Sequence, residues 1–262
     1  MTLKIKYNML RRIIYLLLLI GAPLLAFCDN GAATLFKKGN GQYAKAQYKQ
    51  AITFYEKLID GGYQSSAVFF NLGNAFYKTG DNTSAILYYE KAHKLSPGDE
   101  DIRFNNQLVN SKITDKLDEV PEFFITKWWH GFILGFSLNA LAVLSVLFLL
   151  TGSLVFILYR FTNSVVVKKV SFYSAILLLF FGLVTIFVAG RQADYFDTHH
   201  QAIVFSSSVT IKSEPGGKAS KDLFVLHDGT KVDILEHNND WVKIKLPNGN
   251  EGWIGATDIR EI

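Results

Sequence analysis

Asp194, Asp197, His199 and His200 stand close together, and their types could hold zinc. They lack the spacing of a ligand set and no general base accompanies them, so the cluster reads as a solvated segment leaving an apolar block. No Ser/His/Asp order, phosphate-cradling glycine loop or His-Glu zinc motif occurs elsewhere. Catalysis is not expected, and neither is a cofactor or a metal. The chemistry that remains is binding. Phe36, Asn40 and Tyr43 recur in kind as Phe70, Asn74 and Tyr77. Amides pair with extended backbone, and aromatics offer stiff apolar area. Trp241, near the C-terminus, is a further candidate for ligand contact.

The six residues from Phe36 to Tyr77 belong to a self-similarity with a period of 34 residues between 32 and 99. Phe69, Leu72, Gly73, Phe76, Gly80, Ala85, Tyr89, Ala92 and Pro97 fall at the spacings of the tetratricopeptide pattern. Leu35, Gly39, Ala51 and Tyr55 match one period earlier, while Lys38, Gln42, Leu58 and Tyr63 depart from it. Each copy (32–65 and 66–99) is expected to be an antiparallel helix pair, with glycine and alanine where backbones approach and aromatics filling the gap. Asp81-Asn82 reads as a helix cap, and Pro97-Gly98 and Gly61-Gly62 as stops. Two copies bury their faces poorly alone, so a helix over Asp101–Leu117 is expected to cap the stack and complete a domain of residues 29–120. The six paired residues line its concave face. Asn40 and Asn71 stand at positions of the carboxylate-clamp variety, but its basic partners are mostly missing, with Phe36 where a lysine would stand. An extended peptide, rather than a tail carboxylate, is the expected occupant.

The hydrophobic fraction of 49% is concentrated in Ile13–Leu25, Phe132–Leu158 and Val170–Ala189. Lys4, Lys6, Arg11 and Arg12 precede the first block, which Gly21 and Pro23 interrupt, and Ala26-Phe27-Cys28 follows. This is the layout of a signal peptide over 1–28 cleaved after the only cysteine. An uncleaved anchor and a lipoprotein signal acylated at Cys28 are the alternatives, and Phe27 argues against the second. Segments 132–159 and 170–190 contain no charged residue and read as two transmembrane helices. The loop 160–169 between them carries three basic residues and no acid, which places it in the cytoplasm and both polar regions outside. The spans hold no ionisable group for ion transport, and Ser145, Gly152 and Ser153 suit helix packing. The net charge of +4 lies in the leader and beside the apolar blocks; residues 29–126 and 191–262 are each slightly acidic. Nucleic acid is therefore not an expected partner.

From residue 200 the pattern changes to short alternating runs: Ile203-Val204, Val209–Ile211, Leu223–Leu226, Lys231–Leu235, Trp241–Leu246 and Gly252–Ile254. Asn248-Gly249 is a tight-hairpin signal. Five or six strands over 200–262 suit a small closed all-β barrel. Val242, Ile244 and Leu246 alternate inward, Trp241 faces outward or caps the rim, and Trp253 is expected in the core.

Gly229-Thr230-Lys231-Val232, Asp240-Trp241-Val242-Lys243-Ile244, Asn248-Gly249 and Gly252-Trp253-Ile254 resemble the bacterial SH3 domain. The order of signal peptide, two tetratricopeptide repeats, membrane hairpin and SH3-like barrel is similar to the TPR–SH3 (BatE-like) members of the bacterial aerotolerance operon proteins, over nearly the whole chain. The resemblance implies an inner-membrane protein with periplasmic domains, working beside von Willebrand factor A-type membrane proteins in oxygen or stress tolerance. The fold expected is thus a multidomain membrane protein: an α-helical repeat domain, a two-helix transmembrane hairpin and a small SH3-like barrel. The function expected is a non-catalytic scaffold binding protein partners; the alternative is a cell-wall sensor whose barrel binds peptidoglycan.

Overall fold

A computed structural model describes residues 30–117, 120–121, 123–216 and 220–262. The leader expected over 1–28, with Cys28, lies outside them. The chain divides into two compact units, one of residues 138–191 and the other of residues 31–137 with 192–262.

The larger unit begins with two helix pairs, α1 (Asn30–Ala44) with α2 (Tyr48–Asp60), and α3 (Ser66–Thr79) with α4 (Asn82–Leu95). In α2, Ala51, Tyr55 and Leu58 recur at helical spacing and are all buried. The Ser65 side chain caps α3 by accepting from the Val68 amide at 3.2 Å. Asp81 caps α4 by accepting from the Ser84 amide at 2.9 Å. Between them Gly80 takes φ +88°, a left-handed turn that frees the chain to reverse. The repeat glycines have a steric cause. A Cβ on Gly39 would lie 2.5 Å from the Tyr55 ring, and one on Gly73 would lie 2.8 Å from the Tyr89 ring. Both tyrosines are almost fully buried.

The capping helix is shorter than expected: α5 spans Glu100–Asn110. Its Ile102 and Val109 bury against the second repeat. Beyond it the chain leaves the helix because its side chains are taken up elsewhere. Asp115 bonds the barrel, and Leu117 packs against the barrel core.

The barrel has seven strands: β1 (Gln201–Val204), β2 (Val209–Lys212), β3 (Asp222–Leu226), β4 (Lys231–Asn238), β5 (Trp241–Lys245), β6 (Glu251–Gly255) and β7 (Ile259–Glu261). Their antiparallel order is β3-β2-β6-β5-β4-β1-β7, so the short strands β3 and β7 end the sheet. All seven strands contribute to one core, among them Val204, Ile211, Leu226, Val232, Ile244, Ile254 and Ile259, which requires the sheet to curl around it. β7 has no counterpart among the strands read from sequence. It pairs with β1 through Ile259 opposite Val204.

Trp253 is half-buried, not core, because Gly252 and Ile254 take the inward positions of β6. Gly252 leaves the room that Ile211 occupies, and a Cβ there would also lie 3.1 Å from the Lys212 carbonyl.

The larger unit also holds α6 (Phe124–Ile133), whose last two residues fall in the first span expected over 132–159. The chain breaks at Leu134–Ser137, where the Phe136 carbonyl accepts from the Gln192 side chain at 2.8 Å. The first long apolar helix is accordingly α7 (Leu138–Phe161). The second, α8 (Val165–Thr198), runs past both ends of the expected 170–190, leaving only Thr162–Ser164 as the connection in place of 160–169. Both helices are long and apolar enough to cross a membrane. Within the smaller unit, a Cβ on Gly152 would lie 3.0 Å from Leu179, and one on Gly182 would lie 2.8 Å from Leu149. Ser145 is buried beside them and Ser153 half-buried. Small residues thus allow the helices to approach, as in other apolar helix pairs.

Candidate functional site

The period of 34 residues reappears as a repeated hydrogen bond. The Tyr55 hydroxyl donates to Asn40 Oδ1 at 2.7 Å, and the Tyr89 hydroxyl donates to Asn74 Oδ1 at 2.7 Å. In each repeat a glycine admits the tyrosine ring and the next residue, an asparagine, receives its hydroxyl. Burial pushes Tyr55 up to about 12, and burial likewise raises Tyr89. Both remain neutral donors at ordinary pH. Asn40 also accepts from Asn71 Nδ2 at 3.0 Å, which ties the first repeat to the second.

The candidate groove residues are therefore held by their carbonyl ends. The amide nitrogens of Asn40 and Asn74 make no hydrogen bond among the described residues, and each keeps two N–H donors. Phe36 lies against Tyr55 with ring centroids 6.1 Å apart, and Phe70 against Tyr89 at 5.9 Å. Tyr43 meets Tyr48 edge-on at 5.2 Å, and burial, then the Tyr48 hydroxyl, raises its pKa. Phe36, Tyr43, Phe70 and Tyr77 are all half-buried. Tyr77 is already engaged. Lys112 donates to its hydroxyl at 2.7 Å, and the ammonium stands 4.5 Å from the ring centroid. The groove thus runs over α1 and α3 and meets the segment after α5 at Tyr77.

On the barrel, Trp241 is half-buried at the start of β5, with its indole nitrogen 3.0 Å from where a Cβ of Gly216 would stand. Lys243 is paired with Trp253 and Trp241 with Gly255, so both tryptophans share one outward face of β5 and β6. Lys243 on that face pairs with Glu251 at 3.0 Å.

A different set of residues escaped the sequence reading. Thr83, Leu87, Glu90 and Lys94 form one stripe along α4, and the barrel covers it. Thr83 Oγ1 donates to Asp228 at 2.5 Å, Lys231 Nζ to Glu90 at 2.8 Å, and Lys94 Nζ to the Ile262 carbonyl at 3.0 Å. Leu87 clusters with Ile203 of β1. Burial pushes the Glu90 carboxyl upward, but the Lys231 charge and hydrogen bonds from Lys231 and Asn106 outweigh it and hold the group below the usual range. A second clasp is Asp115, which accepts from the His227 amide at 2.7 Å and from Thr230 Oγ1 at 2.8 Å. Burial opposes its ionisation, and the bonds from His227 and Thr230 overcome that and lower its pKa. The one hint in the sequence was that two repeats leave an apolar face uncovered.

The acidic and histidine cluster beyond the second apolar block lies in the last turns of α8 and just after it. His199 turns its Nδ1 to the Tyr195 carbonyl at 2.8 Å and stacks on the Tyr195 ring. Among the described residues no group of three His, Cys, Asp or Glu side chains is placed to hold a metal ion.

Residues 66–99 match the tetratricopeptide repeat family, and residues 207–259 match the bacterial SH3 domain. No curated protein matches the chain in sequence. Among solved structures it is similar to the Yersinia enterocolitica type III secretion chaperone SycD in complex with a peptide of the translocator YopD. The identity is 16%, the match covers 60% of this chain and 95% of that one, and the TM-score is 0.30. A further structure of the translocator chaperone SycD from Yersinia enterocolitica matches at 16% identity, 62% and 90% coverage and a TM-score of 0.30. The chain is a protein that joins a tetratricopeptide repeat region to a bacterial SH3 domain.

Proposed function

We infer that this chain is a non-catalytic, membrane-anchored adaptor, presenting the repeat groove and the barrel to protein partners on the outer face of a bacterial inner membrane. The observation that carries the reading is that repeats and barrel form one compact unit on a chain that also has two membrane-length apolar helices. Such an arrangement holds two recognition surfaces at a bilayer without further machinery. The basic residues Arg160, Lys168 and Lys169 beside the connection favour a cytoplasmic connection and periplasmic domains. Asn40 and Asn74 offer amide donors to an extended backbone, and Phe36, Tyr43, Phe70 and Tyr77 line it with apolar area. The similarity of domain order to the aerotolerance operon proteins supports von Willebrand factor A-type membrane proteins as partners and a role in oxygen or stress tolerance.

A second reading, peptidoglycan binding by the barrel, is favoured by the shared outward face of Trp241 and Trp253. Photo-crosslinking residues placed at Tyr43 and at Trp241 in living cells separate the two. The adaptor reading expects a protein adduct from position 43. Adducts only to cell-wall fragments, and only from position 241, would favour the sensor.

A further inference from the structure

We propose that α6 is an amphipathic anchor that lies in the headgroup region of the bilayer, a third membrane contact beside the two apolar helices. The proposal rests on the reading that α7 and α8 cross that bilayer. At ten residues α6 is too short to span a membrane. Its apolar residues nevertheless point outward. Phe124 is 71% exposed, Trp128 69% and Phe132 43%, at the i, i+4, i+8 positions of one face, and Ile125 beside them is 54% exposed. Trp128 and Phe132 stack on each other, with centroids 6.1 Å apart.

The opposite face is the packed one. Ile133 is buried, and the His130 ring lies 5.0 Å from that of Tyr195. The helix is thus fixed by one side to its own unit, with an aromatic stripe left on the other. In water such a stripe is costly, and a surface helix normally shows the reverse distribution.

Two facts select a lipid interface as its occupant. Only Leu134–Ser137 separates α6 from the apolar helix α7, so α6 stands within a few residues of any bilayer that α7 enters. Its composition is that of an interfacial helix: two tryptophans and four further large apolar side chains with Lys127 and no acid. Indole rings settle at the headgroup level because the ring is apolar and its N–H is polar.

The test uses the full-length protein in nanodiscs whose phospholipids carry bromine near the upper end of the acyl chains, a contact quencher of tryptophan. Emission should be quenched, and Trp128→Phe should remove most of the quenchable component while Trp241→Phe leaves it unchanged. A second measurement covers a perturbed helix. Nitroxide labels at Phe124→Cys and Thr126→Cys, each with Cys28→Ser, should differ, the first accessible to membrane-dissolved oxygen and the second to an aqueous nickel chelate. Protein that enters nanodiscs but shows no quenching, with both labels equally exposed to nickel, would overturn the interfacial helix while leaving the spans intact; a partner protein would then be the occupant of the stripe. Protein that fails to enter nanodiscs at all would overturn both readings.

Discussion

Glu90 on the second repeat and Lys231 on the barrel, 141 residues apart, meet at 2.8 Å, with the carboxylate side chain 8% exposed and the lysine 33%. This pair makes the barrel the cover for α4, the role a third repeat would otherwise fill. Removing the lysine alone leaves a buried carboxylate without its cation. Lys231→Ala should cost about 2–3 kcal/mol, less than for a fully enclosed pair because the ammonium is partly solvated. The double change Glu90→Leu with Lys231→Met should recover most of that. Denaturant unfolding of the purified protein measures both. Equal losses in the single and the double variant would show that the pair does not couple the two domains.

The same groups make the repeat–barrel contact sensitive to acid. Glu90 and Asp115 both have folded pKa values below their unfolded ones. Their contribution is therefore fully present above the unfolded carboxylate range near pH 4 and is lost as pH falls through the folded values. The melting temperature should decline below about pH 4, and Asp115→Asn should flatten that decline while lowering stability at neutral pH. An unchanged acid limb in Asp115→Asn would assign the sensitivity to other groups.

Within the barrel, the two inward isoleucines and the outward tryptophan should separate cleanly. Ile244→Ala or Ile254→Ala empties a fully buried position and should cost about 2–5 kcal/mol. Trp253→Ala removes a half-buried ring from the outer face and should cost about 1–2 kcal/mol. Thermal melts of the three variants rank them, and a larger loss at Trp253 would return that residue to the core.

The features legible in the sequence are those with a local cause. Gly39 and Gly73 announced the helix pairs because a close approach tolerates no side chain, and the alternation of Val242, Ile244 and Leu246 announced a strand. Helix ends at Gly61 and Pro97 could be read for the same reason. Thr83, Glu90 and Lys94 could not. On α4 they look like an ordinary solvated stripe, and only the return of the chain after residue 200 gives them partners. Trp253 was misplaced because aromatic size suggests burial, whereas the register with Lys243 decides the face. The junction of α6 and α7 was missed because Leu134 and Phe136 continue the apolar run, while the Gln192 side chain that bonds the Phe136 carbonyl at the break comes from a distant part of the chain.

The charge beside the connection predicts a cytoplasmic connection and periplasmic domains. A cysteine at Asn163, with Cys28→Ser, should resist a membrane-impermeant maleimide in intact cells. One at Glu236, exposed on β4, should react once the outer membrane is permeable to the reagent. The reverse pattern would turn the adaptor toward the cytoplasm.

The adaptor claim is tested most directly by the size and composition of the complex that the protein forms in its own membranes. Tyr43 and Tyr77 line the groove and are half-buried, Tyr43 against Tyr48 and Tyr77 under Lys112, so their loss should weaken the helix pairs modestly and leave the fully buried core in place. Native gels and mass spectrometry of detergent-solubilised membranes would compare the wild type with the Tyr43→Ala, Tyr77→Ala double variant. The double variant should remain membrane-inserted, with a lowered but still cooperative melting transition, and run free of the wild-type partners. A variant that still migrates in the same complex, with the same proteins in the same amounts, would contradict recognition through the groove.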